Sequence, residues 1–208
     1  MKFRGDIKLS FRKEKKFRLT NSDLSMLFNA LSKKGMISLY PERMINSCYF
    51  DTQNMDLFSD SEEGVLPRKK IRVRWYEKEL NFNREIKISS IEGRFKTTSL
   101  ETNIQSLSDV VMSNYHDQMY GPLKPSLLVS YRRQYFTLNN LRLTFDTKIS
   151  YSKPLLFEKV KIQDSECVME IKVPFDCDDD YIEKYIPHST ARFSKYSRGL
   201  LYLSGQLT

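Results

Sequence analysis

The segment VLPRKKIRVRWYEKELNFNREIKIS, residues 65–89, contains cations with the two-residue spacing of a β-strand. Read as a strand, one face is basic, while Ile71, Val73 and Trp75 occupy the other face. Closely spaced Arg and Lys side chains can bind phosphate oxygens, and Arg can do so with two parallel hydrogen bonds. A single basic face is, however, more often an ordinary solvated surface. The cations of this face are Arg68, Lys70, Arg72 and Arg74.

The same alternation of charged and apolar residues recurs in most of the other predicted strands. The apolar positions, such as Phe17, Leu143 and Ile171, suit burial under helices. Either an open sheet exposes the charged face to water, or a closed barrel encloses it. A closed cationic lumen must be wet, contain acids or hold a polyanion, because a buried unpaired cation costs several kcal/mol. The charged or polar positions are Arg12, Glu14 and Lys16; Glu85 and Lys87; Arg94 and Lys96; Arg142, Thr144 and Asp146; and Glu170 and Lys172.

The elements that must position these residues predict a mostly antiparallel protein of the α+β class. Asn139 and Asn140 predict the turn of a β-hairpin, and the first helix is expected to be capped by Ser22 and ended by Gly35. Strands are predicted at 7–19, 45–51, 68–76, 83–89, 94–99, 126–138, 141–151, 156–162 and 166–173. Helices are predicted at 22–34, after Thr52, and at 104–119, 178–186 and 194–204.

The composition limits the partners that the chain can have. Its 208 residues include 34 Lys and Arg against 26 Asp and Glu, a formal net charge of +8, which indicates phosphate, nucleic acid or a membrane surface as partner. Three widely spaced cysteines predict neither a disulfide framework nor a zinc site. No apolar run has the length of a signal peptide or a membrane span, so we expect one cytoplasmic domain over residues 1–208.

The composition also limits the chemistry. Only two histidines occur, His116 and His188. The sequence therefore argues against a metal site built on histidines and against hydrolysis by a Ser-His-Asp triad. No glycine-rich phosphate loop is present. Any phosphate binding must therefore come from side chains rather than from backbone amides at the start of a helix.

Six stretches of the chain resemble the catalytic domain of the vacuolar transporter chaperone (VTC) family, which belongs to the CYTH-like triphosphate tunnel superfamily. They follow one another in the family's order over almost the whole chain. The resemblance implies a closed, eight-stranded antiparallel β-barrel with a charged lumen and flanking helices. The stretches are FRKEKKF at 11–17, SCYFDT at 47–52, KIRVRWY at 70–76, REIK at 84–87, SYRRQYF and LRLTFD between 130 and 146, and VMEIKVP with FSKYSRGL after 167.

The resemblance also implies which residues bind phosphate or take part in its transfer. Arg68, Arg94 and Lys172 are further phosphate-binding candidates, because they share strand faces with positions that match the family. Lys195 could as well be a solvated residue of the last helix. The positions that match the family's catalytic cations are Lys16, Arg72, Arg74, Lys87, Arg133, Arg142 and Lys195, and Lys96 matches a phosphate-binding lysine.

A divalent metal, Mn²⁺ or Mg²⁺, is a further implication of the resemblance. Glu170 matches the family's metal ligand, although on sequence alone a salt bridge within the sheet explains it as well. Glu14 is a second candidate ligand. Asp146 is a third, and it could instead orient Arg142.

One position departs from the superfamily's opening signature of acid-x-acid-x-Lys. Arg12 stands where the first acid is expected, and Glu14 is then the only acid before Lys16. The exchange removes one potential metal ligand and extends the path of phosphate-binding cations. It favours a domain that binds a polymeric anion over the cyclase and thiamine triphosphatase branches.

Several activities are compatible with such a tunnel. The first hypothesis is transfer of the terminal phosphate of ATP onto a growing polyphosphate chain. The alternatives are hydrolysis of inorganic triphosphate or of a nucleoside triphosphate, and a non-catalytic sensor of polyphosphate or inositol phosphate. Nucleic-acid binding is not expected, because exposed clusters of aromatic and basic residues are lacking. No transmembrane segment is expected in this chain, and a separately encoded membrane protein could be its partner.

Overall fold

A computed structural model describes residues 12–77, 79–156, 160–174 and 176–207. Most of this part of the chain is β-structure. The strands are β1 Arg12–Leu19, β2 Ile37–Asp51, β3 Arg68–Tyr76, β4 Glu79–Ser90, β5 Gly93–Leu100, β6 Tyr115–Asp117, β7 Gly121–Leu138, β8 Leu141–Ser152, β9 Ile162–Gln163 and β10 Cys167–Pro174. The helices are α1 Asn21–Lys33, α2 Asp56–Glu63, α3 Leu107–Met112, α4 Asp179–Glu183 and α5 Lys195–Leu203, with a 3-10 turn at Pro154–Leu156.

The strands form one antiparallel sheet. Their spatial order is β1-β10-β8-β7-β2-β3-β4-β5, with β6 beside β7 and β9 beside β8. One cavity is lined by strands from both ends of this order: β1 and β10 at one end, and β3, β4 and β5 at the other. This shared lining shows that the sheet is strongly curled. The architecture is therefore a curled half-barrel with a concave inner face.

The prediction of a closed barrel is wrong, because the half-barrel is open. Among the described residues, β1 pairs only with β10, and β5 pairs only with β4. The side chains of β5 are exposed from Arg94 to Leu100. Only Phe95 and Leu100 among these side chains are large and apolar, so β5 offers little apolar surface whose burial would draw it onto β1.

The apolar faces of the strands point outward and are covered by helices, as the alternation predicted. Phe145 of β8 and Ile171 of β10 lie in one buried cluster with Leu31 of α1, and Ile71 of β3 lies in a second cluster with Val110 of α3. Each of these side chains is almost fully buried, which is worth about 1.5–3 kcal/mol for a large apolar side chain. Because side chains alternate along a strand, this outward burial turns the charged positions inward.

Helix α5 is different, because it packs against the concave face. Tyr196 and Tyr202 lie in one cluster with Leu127 and Tyr151 of the sheet. A Cβ atom on Gly199 would lie 2.5 Å from a ring carbon of Tyr151 and 2.6 Å from a methyl carbon of Leu127, so this close approach requires glycine. The helix thereby covers part of the inner face and brings its N-terminus to the cavity.

Some element boundaries differ from the predictions for identifiable reasons. Helix α1 is capped by Thr20 rather than Ser22, because Asp23 stands three residues after Thr20 and the two residues exchange side-chain and backbone hydrogen bonds. Strand β2 begins at Ile37, before the predicted range 45–51. The sequence does not predict the first half of this strand, because that half is exposed and lacks a clear apolar alternation. The predicted helix 104–119 is only the short α3, because Tyr115–Asp117 pairs with β7.

Two predicted strands extend beyond the described residues. Residues 7–11 of the predicted strand 7–19, and residues 157–159 of the predicted strand 156–162, lie outside them. The described part of the second segment contributes only the start of β9. Within the described ranges, no helix combines the length and the apolar character needed to span a membrane.

Candidate active site

The concave face encloses a cavity of about 750 Å³ whose lining is dominated by cations. Two carboxylates, Glu14 and Glu170, line it as well. The structure therefore brings together most of the residues that were predicted to bind phosphate. The predicted cations in the lining are Lys16, Arg68, Arg72, Arg74, Lys87, Arg94, Lys96, Arg133, Lys172 and Lys195. Lys15, Lys70 and Arg192 are further cations in it.

Two of the predicted phosphate-binding residues are not seen in this lining. Arg142 is exposed near the hairpin end of β8, opposite Lys172 in the register with β10, and it is not part of the described cavity wall. Arg142 also pairs with Thr137 of β7, next to the hairpin turn at residues 139–140, and its side chain is exposed to solvent. The side chain of Arg12 lies outside the described part of the chain, although β1 begins at this residue.

Glu85 of β4 organises the cations of one wall. It is only 5% exposed, and its Oε2 accepts hydrogen bonds from Nε and Nη2 of Arg72 at 2.8 and 2.5 Å. Oε1 accepts from Lys96 at 2.6 Å, and Nη1 of Arg74 lies 3.7 Å from Oε2. Although burial opposes ionisation, Arg72, Arg74 and Lys96 lower the pKa of Glu85 to about 2. The sequence placed Glu85 on the face of Lys87 but did not mark it as a site residue.

Asp146 of β8 has the same role on the opposite wall. It is 1% exposed and accepts hydrogen bonds from Nε and Nη2 of Arg133 at 2.5 and 2.6 Å and from Nζ of Lys195 at 2.5 Å. Against the effect of burial, Lys195 and Arg133 lower the pKa of Asp146. The structure thus places Asp146 in a cation clamp, and its partner is Arg133 rather than the expected Arg142.

The two carboxylates of the lining lie on adjacent strands. In the register of β1 with β10, Glu14 is opposite Lys172 and Lys16 is opposite Glu170, so both acids face the cavity as diagonal neighbours. Nζ of Lys172 is 2.8 Å from Glu170, and Nζ of Lys16 is 3.4 Å from Glu14. Glu170 is 8% exposed, and although burial opposes its ionisation, Lys172 and Arg133 hold its pKa well below the ordinary value.

These donors fit a divalent metal that is bound together with phosphate. Among the described residues, no group of three or more His, Cys, Asp and Glu side chains could hold a metal by itself. Mg²⁺ is nevertheless usually bound through one or two carboxylates plus phosphate oxygens and water. Glu170 and Glu14 supply such a pair of carboxylates, whereas both oxygens of Asp146 are already occupied by Arg133 and Lys195.

Lys70 joins β3 to the segment before α5. Its Nζ donates a 2.8 Å hydrogen bond to Oγ of Ser194, the residue that caps α5. Burial, with the nearby cations Lys16, Arg192 and Arg68, lowers the pKa of Lys70 to about 8. The charge of Lys70, and with it the charge of the cavity, therefore changes in a range accessible to measurement.

The comparisons with known proteins agree with this geometry. The family model described as the VTC domain matches residues 11–204. The chain belongs to the VTC domain family. A comparison with curated protein sequences found no match for this VTC domain.

Solved structures share the fold of this VTC domain at low sequence identity. A candidate adenylate cyclase from Bacillus halodurans is 14% identical with a TM-score of 0.57, over 88% of this chain and 95% of that protein. A candidate adenylyl cyclase from Hippeastrum, described as having a dominant triphosphatase activity, is 16% identical with a TM-score of 0.54, over 95% and 98%. A Pyrococcus horikoshii protein is 12% identical with a TM-score of 0.55, over 89% and 98%. At these identities the similarity establishes the fold alone.

The lowered pKa of Lys70 predicts a pH dependence of anion binding by this VTC domain. Lys70 is charged below about pH 8 and neutral above it, so affinity for inorganic triphosphate should fall as the pH rises from 7 to 9. In Lys70→Arg, the guanidinium stays charged throughout, and we expect this variant to lose about tenfold less affinity over the same range. Calorimetry without divalent metal measures the affinity of both proteins for inorganic triphosphate. The change in protonation of the triphosphate over this pH range is the same for both proteins, so it cancels in the comparison.

The matched control is Lys69→Arg, since Lys69 lies next to Lys70 on the opposite face and pairs with Asp117 at 2.8 Å. Its pH profile should follow that of the unmodified protein. Parallel profiles for Lys70→Arg and the unmodified protein would show that Lys70 does not take part in anion binding.

Proposed function

We propose that this VTC domain is a metal-dependent phosphotransferase whose substrates are triphosphates and polyphosphate. The observation that carries the proposal is the concentration of cations around one cavity, fixed from beneath by the buried carboxylates Glu85 and Asp146. Such a surface is costly unless an anion of high charge density occupies it. A chain of phosphates supplies that charge in a narrow, extended form.

The arginines and lysines of the cavity have different parts in this proposal. Arg72, Arg74 and Arg133 can grip non-bridging oxygens with paired N–H groups, and the carboxylates beneath them limit their movement. Lysines such as Lys16 and Lys172 act as adaptable point charges along a chain that must move. In this way the protein positions the reacting phosphates and offsets their mutual repulsion.

The chemistry needs little from a general base. In the reaction that we propose, a terminal oxygen of polyphosphate attacks the γ-phosphorus of ATP, the bond to the β-γ bridging oxygen breaks, and ADP leaves. The attacking oxygen is already ionised, so no proton has to be removed. Glu170 and Glu14 would hold the divalent metal, which neutralises charge on phosphate oxygens when it is bound. The scarcity of histidine is compatible with this reaction.

Polyphosphate synthesis is our first choice within this class. Membership of the VTC domain family supports it, and so does the opening strand, where Arg12 replaces an acid that could have helped to activate water. The specific alternative is hydrolysis of triphosphate in the same cavity. It is favoured by the triphosphatase activity described for the Hippeastrum protein of similar fold.

The products formed from ATP separate the two reactions. With ATP, Mn²⁺ and a short polyphosphate primer, we expect phosphate chains to lengthen faster than orthophosphate is released. Gel electrophoresis of the chains and a colorimetric phosphate assay measure the two rates in one incubation. Orthophosphate as the only product, with the primer unchanged, would replace the polymerase proposal with triphosphatase activity.

The metal-binding role of Glu170 generates a second prediction. In Glu170→Gln the amide keeps the shape but loses the charge that binds a divalent cation. We expect turnover with Mn²⁺ to fall at least about 100-fold, while metal-free binding of inorganic triphosphate stays within about threefold. Stopped assays and calorimetry measure the two effects separately.

A suitable control is Glu166→Gln, because Glu166 is also a partly buried carboxylate in ion pairs but binds Arg18 and Arg198 away from the cavity. Its turnover should be close to that of the unmodified protein. If Glu170→Gln kept both its rate and its metal dependence, Glu170 would be only an ion-pair partner of Lys172.

A further inference from the structure

Tyr131 of β7 contacts three cations of the cavity, each from a different element. Its Oη accepts a 3.2 Å hydrogen bond from Nη2 of Arg74 on β3. Nζ of Lys195, the first residue of α5, lies 4.4 Å from the centre of its ring, and Cζ of Arg133 on β7 lies 5.3 Å from it. Tyr131 itself is only 2% exposed, so it lies beneath these cations.

The hydrogen bond to Tyr131 matters for the position of Arg74, because Arg74 is held less firmly by its other partners than the neighbouring Arg72 is. Arg72 is held by two short hydrogen bonds to Glu85 and by a third to Tyr49. For Arg74, the distance to Glu85 is 3.7 Å, and Nε donates to Oγ of Ser47 at 3.4 Å. Among the described residues, the bond to Tyr131 is thus the shortest polar contact of the Arg74 side chain, and it fixes the end of the guanidinium.

The ring of Tyr131 has a second effect. Arg133 and Lys195 share the carboxylate of Asp146, which brings two positive charges close together. The face of an aromatic ring carries partial negative charge and attracts cations within about 6 Å of its centre. Tyr131 therefore adds attraction for both cations at a place where they repel each other.

We propose that Tyr131 is a positioning residue that gathers Arg74, Arg133 and Lys195 into one phosphate-binding group. The proposal rests on the function proposed above, since it takes the cavity to be the phosphate site. The hydroxyl of Tyr131 orients Arg74, and its ring holds the other two cations. The bland alternative is a buried tyrosine that only packs in the core beneath α5, where Tyr131 also belongs.

Two substitutions separate the hydroxyl from the ring. Tyr131→Phe keeps the ring and removes the acceptor for Arg74, so we expect the Kd for inorganic triphosphate to rise about three- to tenfold. Tyr131→Leu also removes the attraction for Lys195 and Arg133, and we expect a further rise of about three- to tenfold. Calorimetry with inorganic triphosphate in the absence of metal measures each affinity.

Tyr151→Phe is the matched control. Tyr151 is also buried, and its hydroxyl donates a 2.7 Å hydrogen bond to Asp164 outside the cavity. This variant should lower the melting temperature and leave the Kd for triphosphate within about twofold. An equal loss of affinity in Tyr151→Phe and Tyr131→Phe would mean that loss of core packing explains both, and would overturn the proposal.

A double-mutant cycle with Arg74→Gln distinguishes failure of this inference from failure of the proposed function. If Tyr131 acts through Arg74, adding Tyr131→Phe to Arg74→Gln should cause no further loss of affinity. Weakened binding in Arg74→Gln with unchanged binding in Tyr131→Phe would overturn the role of Tyr131 alone. Unchanged binding in Arg74→Gln would contradict the phosphate site itself.

A spectroscopic measurement covers the case in which Tyr131→Phe does not fold. Incorporating 3-fluorotyrosine at residue 131 keeps the ring and the hydroxyl and adds a ¹⁹F nucleus. Addition of inorganic triphosphate should shift this resonance. Triphosphate bound to Arg74 and Lys195 adds negative charge next to the ring that carries the ¹⁹F nucleus. A resonance that does not move at saturating triphosphate would contradict the proposal.

Discussion

Like charges crowded onto one concave surface repel one another, and this half-barrel depends on two buried carboxylates that hold them in place. Glu85 binds Arg72 and Lys96, and Asp146 binds Arg133 and Lys195. A buried charge of either sign would be expensive alone, but hydrogen-bonded pairs recover much of that cost. Because both carboxylates lie beneath the cavity wall, the exposed surface of the wall remains strongly positive.

This arrangement also explains why α5 must lie inside the sheet. Lys195 reaches Asp146 only from the N-terminus of that helix, and Ser194 beside it accepts the hydrogen bond of Lys70. Tyr196, the next residue, donates a hydrogen bond to Asp51, which also accepts backbone N–H groups at the start of α2. The N-cap residue and the first two residues of α5 thus connect opposite walls of the half-barrel. Helix packing and site chemistry are consequences of the same few contacts.

The inward charge and outward apolar packing could be predicted from the sequence, because strand parity fixes which side chains share a face. Parity does not reveal which carboxylate lies within reach of which cation. For this reason the sequence alone does not mark Glu85 as a site residue, and it assigns Asp146 to a metal or to Arg142 rather than to Arg133. These pairings depend on register across several strands and on the placement of α5. Closure was also beyond the sequence, since it depends on whether the outer edge strand β5 buries apolar surface.

The central claim is that a chain of phosphates occupies the cavity between these two walls. A crystal structure of the protein with inorganic triphosphate tests it most directly. The account predicts electron density for the triphosphate within hydrogen-bonding distance of Arg72 and Arg74 on one wall and of Arg133 and Lys195 on the other. Triphosphate bound only on the outer surface, with the cavity side chains unchanged and in contact with water alone, would contradict it.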